Sequence, residues 1–528
     1  MFQNPTVASY REAAQRIAEL ATSQNISALV VNAGGTGYVT GDQLQITHAG
    51  ATLPCRFFIT ATAGAVTGIQ RIWQGGAFSN RVATVTKNAG GTGYAVNDVF
   101  RLTTGTFTQY AKGKVLTLSG SAVATCALFE SGGAYSSVPS ATAGATNSDI
   151  GTGVGTGLTV DTTMTGLIGV TGAASTAITG VGTGATFNLT LTDTGWTVLE
   201  DRNDYSLNGV LDEKQLIMQG TAGASEETPL VGIRTGTNGS GGTLRHFLSL
   251  TGFTAYNSSL AYSSQPNAIN PDPTTSAGNL IGIIPTDTTV VCWFSISARR
   301  LAGVIRADGG TTTAYHSFYC GLLNPFGTAT ENPYPMVIVA AMNGAAIAAD
   351  AVSQIDVSGI TECYTNSNRT GPSYVWDQAN VMWQQLRNAS ATTGTPPFTA
   401  QTSYNTLPIG TMPLNGTTND VDVIVDDGKM PYHSTICRNV GSASTLQIQP
   451  TPNVSGDIQP LIPVTIVFGA GLLIFGDYEN VFWVSGTKTG GTTIAPEDTF
   501  TFGSDVYRVF PNAARTESYS FFCMKEGA

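Results

Sequence analysis

Charge is what this chain has least of. Asp, Glu, Lys and Arg make up 11% of its 528 residues, against about 25% in an ordinary globular protein. The net charge is −11, and Arg299-Arg300 is the densest basic spot. Phosphate contacts need clustered Lys and Arg, so nucleic acid is excluded as the main partner. Long apolar runs are missing too. The longest, Ile462 to Phe475, has 14 residues and holds Pro463, Gly469 and Gly471. A membrane-spanning helix needs about 20, so no membrane insertion is expected. The run reads instead as two buried strands around a glycine turn. Met1 to Asn25 lacks the apolar core of a secretion signal.

Metal-binding and catalytic patterns are equally sparse. The four histidines, His48, His246, His316 and His433, form no His-x-x-x-His pair. The seven cysteines, Cys55, Cys126, Cys292, Cys320, Cys363, Cys437 and Cys523, are scattered without a Cys-x-x-Cys pair. That excludes a zinc site of the usual spacing. They read as free thiols of a reducing cytoplasm, with disulfides formed after release from a cell as the alternative. No Gly-x-Ser-x-Gly elbow and no Gly-Lys-Ser/Thr phosphate loop occur.

What fills the gap is Gly, with 62 residues, together with Thr, Ser, Asn and Ala. Thr and Val suit a pleated surface and Gly supplies turns, so the chain reads as short strands and tight turns. Large apolar residues occur throughout, as in a folded protein. So few charges solvate a monomer poorly, which points to burial against other subunits.

One helix is expected, near the N-terminus. Val7, Tyr10, Ala14, Ile17 and Ala21 follow helical spacing beside Leu20, with Arg11, Glu12, Arg16 and Glu19 on the other face. Thr6 or Ser9 suits its cap. Its apolar stripe must lie on its own domain or on a neighbouring subunit. Ser373 to Arg387 is a second helix candidate.

An internal repeat follows. Asn32-Ala33-Gly34-Gly35-Thr36-Gly37-Tyr38 recurs as Asn88-Ala89-Gly90-Gly91-Thr92-Gly93-Tyr94, 56 residues on. Asp42, Leu44, Ile46 and Thr47 match Asp98, Phe100, Leu102 and Thr103 at the same offset. Gly75-Gly76-Ala77-Phe78 and Gly132-Gly133-Ala134-Tyr135 are weaker echoes. The pattern is a strand, a glycine turn, an anchoring Tyr, a turn ending in Asp and another strand. Repeats of this kind mean small stacked β-modules. Residues 141–195, richer still in Gly, Ala and Thr, read as a third, worn module or a linker.

The expected fold is therefore mainly β. It comprises an N-terminal helix over 1–25, tandem modules over 26–140, the Gly/Thr/Ala-rich stretch over 141–195, and a large β-sandwich-like domain over 196–528, whole or in two subdomains. The run Gly151 to Gly157 loosely fits a phosphate loop, but no helix follows it, so no cofactor is expected. Asp420, Asp422, Asp426 and Asp427 alternate with valines, as on the wet face of a strand; calcium is the alternative. Asp42 and Asp98 read as turn-capping residues. Trp293, Trp376 and Trp383 are core residues or, if exposed, sugar-stacking ones. No catalytic, cofactor or metal residue is assigned, and no enzyme activity is expected.

Several strings after Gly195-Trp196-Thr197-Val198-Leu199 resemble a family of tailed-bacteriophage virion structural proteins. They are Leu216 to Gly220, Val231 to Thr235, Leu250 to Tyr256 with Gln265-Pro266, and Trp293 to Arg300. Tyr319 to Phe326, Asn332-Pro333-Tyr334-Pro335, Glu479 to Val484 and Tyr507 to Asn512 complete the set. The Gly-Gly-Thr-Gly-Tyr repeats resemble modules of phage tail and baseplate proteins. The resemblance implies a virion protein, assembled in the bacterial cytoplasm and packed against other virion proteins as a symmetric homo-oligomer. Its place is the baseplate or tail tip; a head or collar decoration, a neck fibre, and a protein that binds or depolymerises host-surface glycan are the alternatives.

Overall fold

In the computed structural model the chain is mainly β, with one α-helix, near the N-terminus, among the described residues. The structure describes residues 2–3, 6–7, 10–47, 51–74, 76–78, 81–133, 135, 139, 147–150, 154–165, 171–205, 213–238, 245–269, 279–285, 290–309, 312–339, 342–343, 374–378, 381–385, 431–434, 462–468, 473–484, 495–503, 505–511 and 521–526.

The large domain has three layers. Its central sheet orders Val290–Ile296, Arg300–Gly309, Thr312–Leu322, Met336–Val339, Tyr374–Asp377 and Met382–Gln385. Successive side chains on a strand point to opposite faces. Here both faces are covered. Cys292, Phe294, Ile296, Leu301, Ile305, Phe318, Met336 and Ile338 fill one core. Their neighbours Trp293, Ala302, Val304, Tyr319, Val337 and Val339 fill the other. Double burial explains why Met336-Val337-Ile338-Val339 is apolar without alternation.

One outer sheet orders Thr197–Tyr205, Glu213–Gln219, Leu230–Asn238, Arg245–Phe253, Asn279–Pro285 and Met342–Asn343. It contributes Leu216, Met218, Val231, Ile233, Leu248 and Leu250 to the first core. The other orders Pro431–Ser434, Ile462–Phe468, Leu473–Val484, Phe521–Glu526, Asp505–Pro511 and Thr499–Phe502. It contributes Tyr478, Val481, Phe510, Phe522 and Met524 to the second.

The helix, Tyr10–Ala21, belongs to this domain and not to a neighbouring subunit. Ala13, Ala14, Ile17, Ala18, Leu20 and Ala21 are buried in the first core. Four of these six are alanines, which let the helix lie close to the strands. Ahead of it, Phe2–Gln3 and Thr6–Val7 pair with Val290–Ile296 at the edge of the central sheet. Thr6 therefore lies in a strand and is not the helix cap.

Two readings of local structure change. Ser373 to Arg387 forms no helix over its described residues. Tyr374–Asp377 and Met382–Gln385 make a hairpin with Trp376 opposite Trp383, their rings 5.3 Å apart and edge to face. Aromatic cross-strand pairing outweighs the modest helix propensity of these residues. Over its described residues, Gly/Thr-rich 141–195 is neither a linker nor a third module. Thr183–Asp193 pairs along Gln24–Thr36, and Thr156–Met164 along Val82–Thr92. These strands close the two modules already counted.

The modules are therefore nested, one inserted in the other. The inner module runs from Val82 to Met164 and packs Val82, Tyr94, Phe100, Val115, Tyr135 and Leu158 inside. The outer one uses strands on both sides of it and packs Ile26, Tyr38, Phe57, Phe78, Ala185 and Phe187. The whole block 24–193 is in turn inserted between the helix and the first strand of the large domain. The run 462–475 supplies two paired strands, with Val467 opposite Ile474.

The module turn occurs a third time, in the second outer sheet. In the outer module Val39 N–H donates to Asp42 Oδ2 at 2.9 Å. In the inner module Ala95 N–H donates to Asp98 Oδ2 at 2.6 Å. Ala495 N–H does the same to Asp498 Oδ2 at 2.7 Å. The carbonyls of Asp42, Asp98 and Asp498 then accept from Ile59, Val115 and Val509. The residue before each Asp, Gly41, Asn97 or Glu497, has a positive φ. Gly490-Gly491-Thr492 precedes the third copy as Gly90-Gly91-Thr92 precedes the second, 400 residues earlier.

Candidate functional site

The sequence candidates do not assemble into one site. His246, His316 and His433 lie on strands of three different sheets; His48 and Asp420, Asp422, Asp426 and Asp427 lie outside the described residues. No group of three His, Cys, Asp or Glu able to hold a metal is present among the described residues. Gly157 lies within the strand Thr156–Met164, so the run leads into a strand and not a helix. Trp293 and Trp376 are buried, so neither offers a ring for sugar stacking. Trp383 packs on Trp376 and donates its Nε1–H to the Asn267 carbonyl at 2.7 Å.

The basic pair Arg299-Arg300 is spent on structure. It sits in the turn between the first two central strands. Arg299 reaches Glu226 of the first outer sheet's loop at 2.5 Å and the Leu323 carbonyl at 3.0 Å. Arg300, fully buried, donates to Ser295 Oγ at 2.9 Å and lies 3.6 Å from Glu479 of the other outer sheet. Adjacent arginines thus tie the central layer to both outer layers.

The densest chemistry is a buried charge cluster where the inner module meets the large domain. Lys112 Nζ lies 2.7 Å from Asp201 Oδ1 and 3.1 Å from Glu130 Oε2. Lys214 Nζ lies 2.8 Å from Asp201 Oδ1 and 3.0 Å from Glu130 Oε1. Arg11, from the helix, reaches Glu130 Oε1 at 3.0 Å. Gln109 Nε2 donates to Asp201 Oδ2 at 2.6 Å, and Tyr110 Oη and Arg101 donate to the Asp201 carbonyl.

Lys112, Lys214, Asp201 and Glu130 are all buried. Burial alone would raise the Asp201 carboxyl, but Lys112 and then Lys214 outweigh it and hold it below the usual aspartate range. Taking such charges out of water is costly, and mutual pairing offsets that cost. The charged groups of Lys112, Lys214, Asp201 and Glu130 pair with one another out of water, so the arrangement fixes geometry. The inner module, the large domain and the helix supply its parts, so no local motif announced it. One signal was present: Lys214 shares strand parity with Leu216 and Met218, which face the core.

Each module is closed at its base by a threonine. Thr194 N–H and Oγ–H both donate to the Ser23 carbonyl, at 2.9 and 2.8 Å. Thr165 N–H and Oγ–H both donate to the Arg81 carbonyl, at 2.8 and 3.2 Å. The chain thus enters and leaves each module at one point. Arg81 also donates to the Glu19 carbonyl at 3.0 Å, in the last turn of the helix, where a cation is favoured.

The described cysteines, Cys55, Cys126, Cys292, Cys320 and Cys523, form no disulfide. Burial pushes the Cys55 thiol up to about 12, and raises those of Cys292, Cys320 and Cys523 as well. Such thiols are poor nucleophiles. No protein-family model matches the chain, and no curated protein matches it.

Proposed function

We propose that this chain is a structural component of a tailed-bacteriophage virion, in the tail baseplate or tail tip, acting by subunit packing and not by catalysis. One observation supports this reading above others. The strings that carry the virion resemblance are far apart in sequence, yet they meet in the three-layer core. Trp293 packs edge to face on Phe510, 5.4 Å apart. Tyr319 stacks on Tyr478 at 4.5 Å, and its hydroxyl accepts from Glu479 N–H at 3.2 Å. Tyr334 Oη–H donates to the Phe253 carbonyl at 2.7 Å. Residues that resemble a family and also pack together in the cores between the layers describe a shared fold better than a chance match.

The low charge suits permanent burial between copies of the chain and other virion proteins. Mass spectrometry of purified intact particles, with cryo-EM of the same particles, tests the proposal. The protein is expected in the particle, as a symmetric oligomer at the tail end. Density at the head or collar moves the placement. Absence from particles, with a purified protein that stays monomeric, overturns the reading.

A further inference from the structure

We infer that the cluster of Arg11, Lys112, Glu130, Asp201 and Lys214 is a latch that holds the 24–193 block docked on the large domain, and that loss of one member frees the block about its base while both parts stay folded. Three observations converge on this. The block is joined to the large domain at one point, where Thr194 meets Ser23. Its two cores are its own: of the described residues inserted between Ser23 and Thr194, Ala77 alone joins the large domain's core. The joint is polar. Beyond the cluster it includes hydrogen bonds such as Val198 N–H to the Thr108 carbonyl at 3.0 Å and Arg81 to the Glu19 carbonyl at 3.0 Å.

Apolar joints bind in proportion to area and release only as they are pulled apart. A polar joint inside one chain behaves differently, and relative motion is its default unless specific contacts oppose it. Here those contacts centre on five charged side chains, with Gln109, Tyr110 and Arg101 adding bonds to Asp201. Removing one member of a buried pair leaves its partner uncompensated and is strongly destabilising at that spot. The damage falls on the joint, because neither core depends on it.

Hydrogen exchange of the full chain, compared with Lys214→Met and Asp201→Asn, tests the latch. Exchange is expected to rise by about a hundredfold or more at amides that cross the joint, such as that of Val198, which donates to the Thr108 carbonyl. Gln24–Thr36, Thr183–Asp193 and Val290–Ile296 should keep their protection, and the radius of gyration in solution scattering should grow. A rise that spreads through the central sheet, or no rise at the joint, overturns the inference. Should either variant fail to fold, the unaltered protein in low denaturant decides. The joint amides should open together before either core; exchange only through global unfolding overturns the latch.

Discussion

The ring of Tyr38 occupies the space that a side chain at position 182 would need. The inner module repeats the relationship with Tyr94 and Gly155. Both tyrosines are buried, and the Tyr38 hydroxyl accepts from Ala185 N–H at 3.4 Å. Gly182→Ala and Gly155→Ala should therefore each destabilise by about 1–3 kcal/mol, as overpacking does. A double-mutant cycle of Gly182→Ala with Tyr38→Ala should show coupling of about 1 kcal/mol or more. Urea unfolding measures both; additive effects would show that the ring is not what excludes the methyl group.

The threonines at the module bases give a second expectation. Thr165→Val and Thr194→Val keep the shape and the backbone bond but lose the hydroxyl's. Each should cost about 1 kcal/mol, read from denaturant midpoints. Loss of the backbone bond as well would appear as fast exchange of the amides at 165 or 194.

The three equivalent aspartates should not be equally sensitive. Asp98 is fully buried, whereas Asp42 and Asp498 are half-buried. Replacement by Ala strands the amide of Ala95 away from water. Asp98→Ala should cost about 1–3 kcal/mol, and the other two nearer 1 kcal/mol. Thermal unfolding of the three variants ranks them.

Acid should undo the charge cluster only at low pH. Asp201 has a folded pKa below its unfolded value, through Lys112 and Lys214 against burial. Its contribution is complete above the ordinary aspartate range and is lost as pH falls through the depressed value. Glu130, Arg101, Tyr110 and Gln109 are the other groups facing it, and Arg11 pairs with Glu130. Stability measured at successive acid steps should fall steeply in the unaltered protein, and the step should flatten in Asp201→Asn.

Thiol chemistry gives a last check. Cys126 is half-buried, with its pKa pushed up to about 11 by burial against an opposing pull from Lys87. Cys55, Cys292, Cys320 and Cys523 are fully buried. In the native protein an alkylating reagent should modify Cys126 ahead of these four, which should react only on unfolding. Peptide mass mapping over time gives the order.

Much of the local architecture was legible because it depends on neighbours in sequence. Gly34 to Tyr38, the Asp turns and the helix stripe all follow from spacings of a few residues. What stayed hidden depends on distant partners. Gly182-Thr183-Gly184 reads as a spacer until Gln24–Thr36 lies beside it. Lys112 and Lys214 are lone lysines until the fold stacks them on Asp201. The third turn was within reach, since Gly490-Gly491-Thr492 and Asp498 keep the repeat's spacing, but Thr493 and Ile494 replace the Gly-Tyr that marks the others. Trp376 and Trp383 misled because a hairpin's cross-strand pair, seven residues apart, also fits two helical turns.

The nesting has a consequence for synthesis. Gln24–Thr36 leaves the ribosome long before Thr183–Asp193, the strand that completes it. At about 5–20 residues per second, that delay is on the order of ten seconds. The inner module, 82–164, has all its strands first and can close while the outer one waits. The outer module closes next, and Phe2–Gln3 finds its partner only when Val290–Ile296, made much later, emerges. The order of completion runs outward from the inner module, so a strand made before both modules waits until after they have closed.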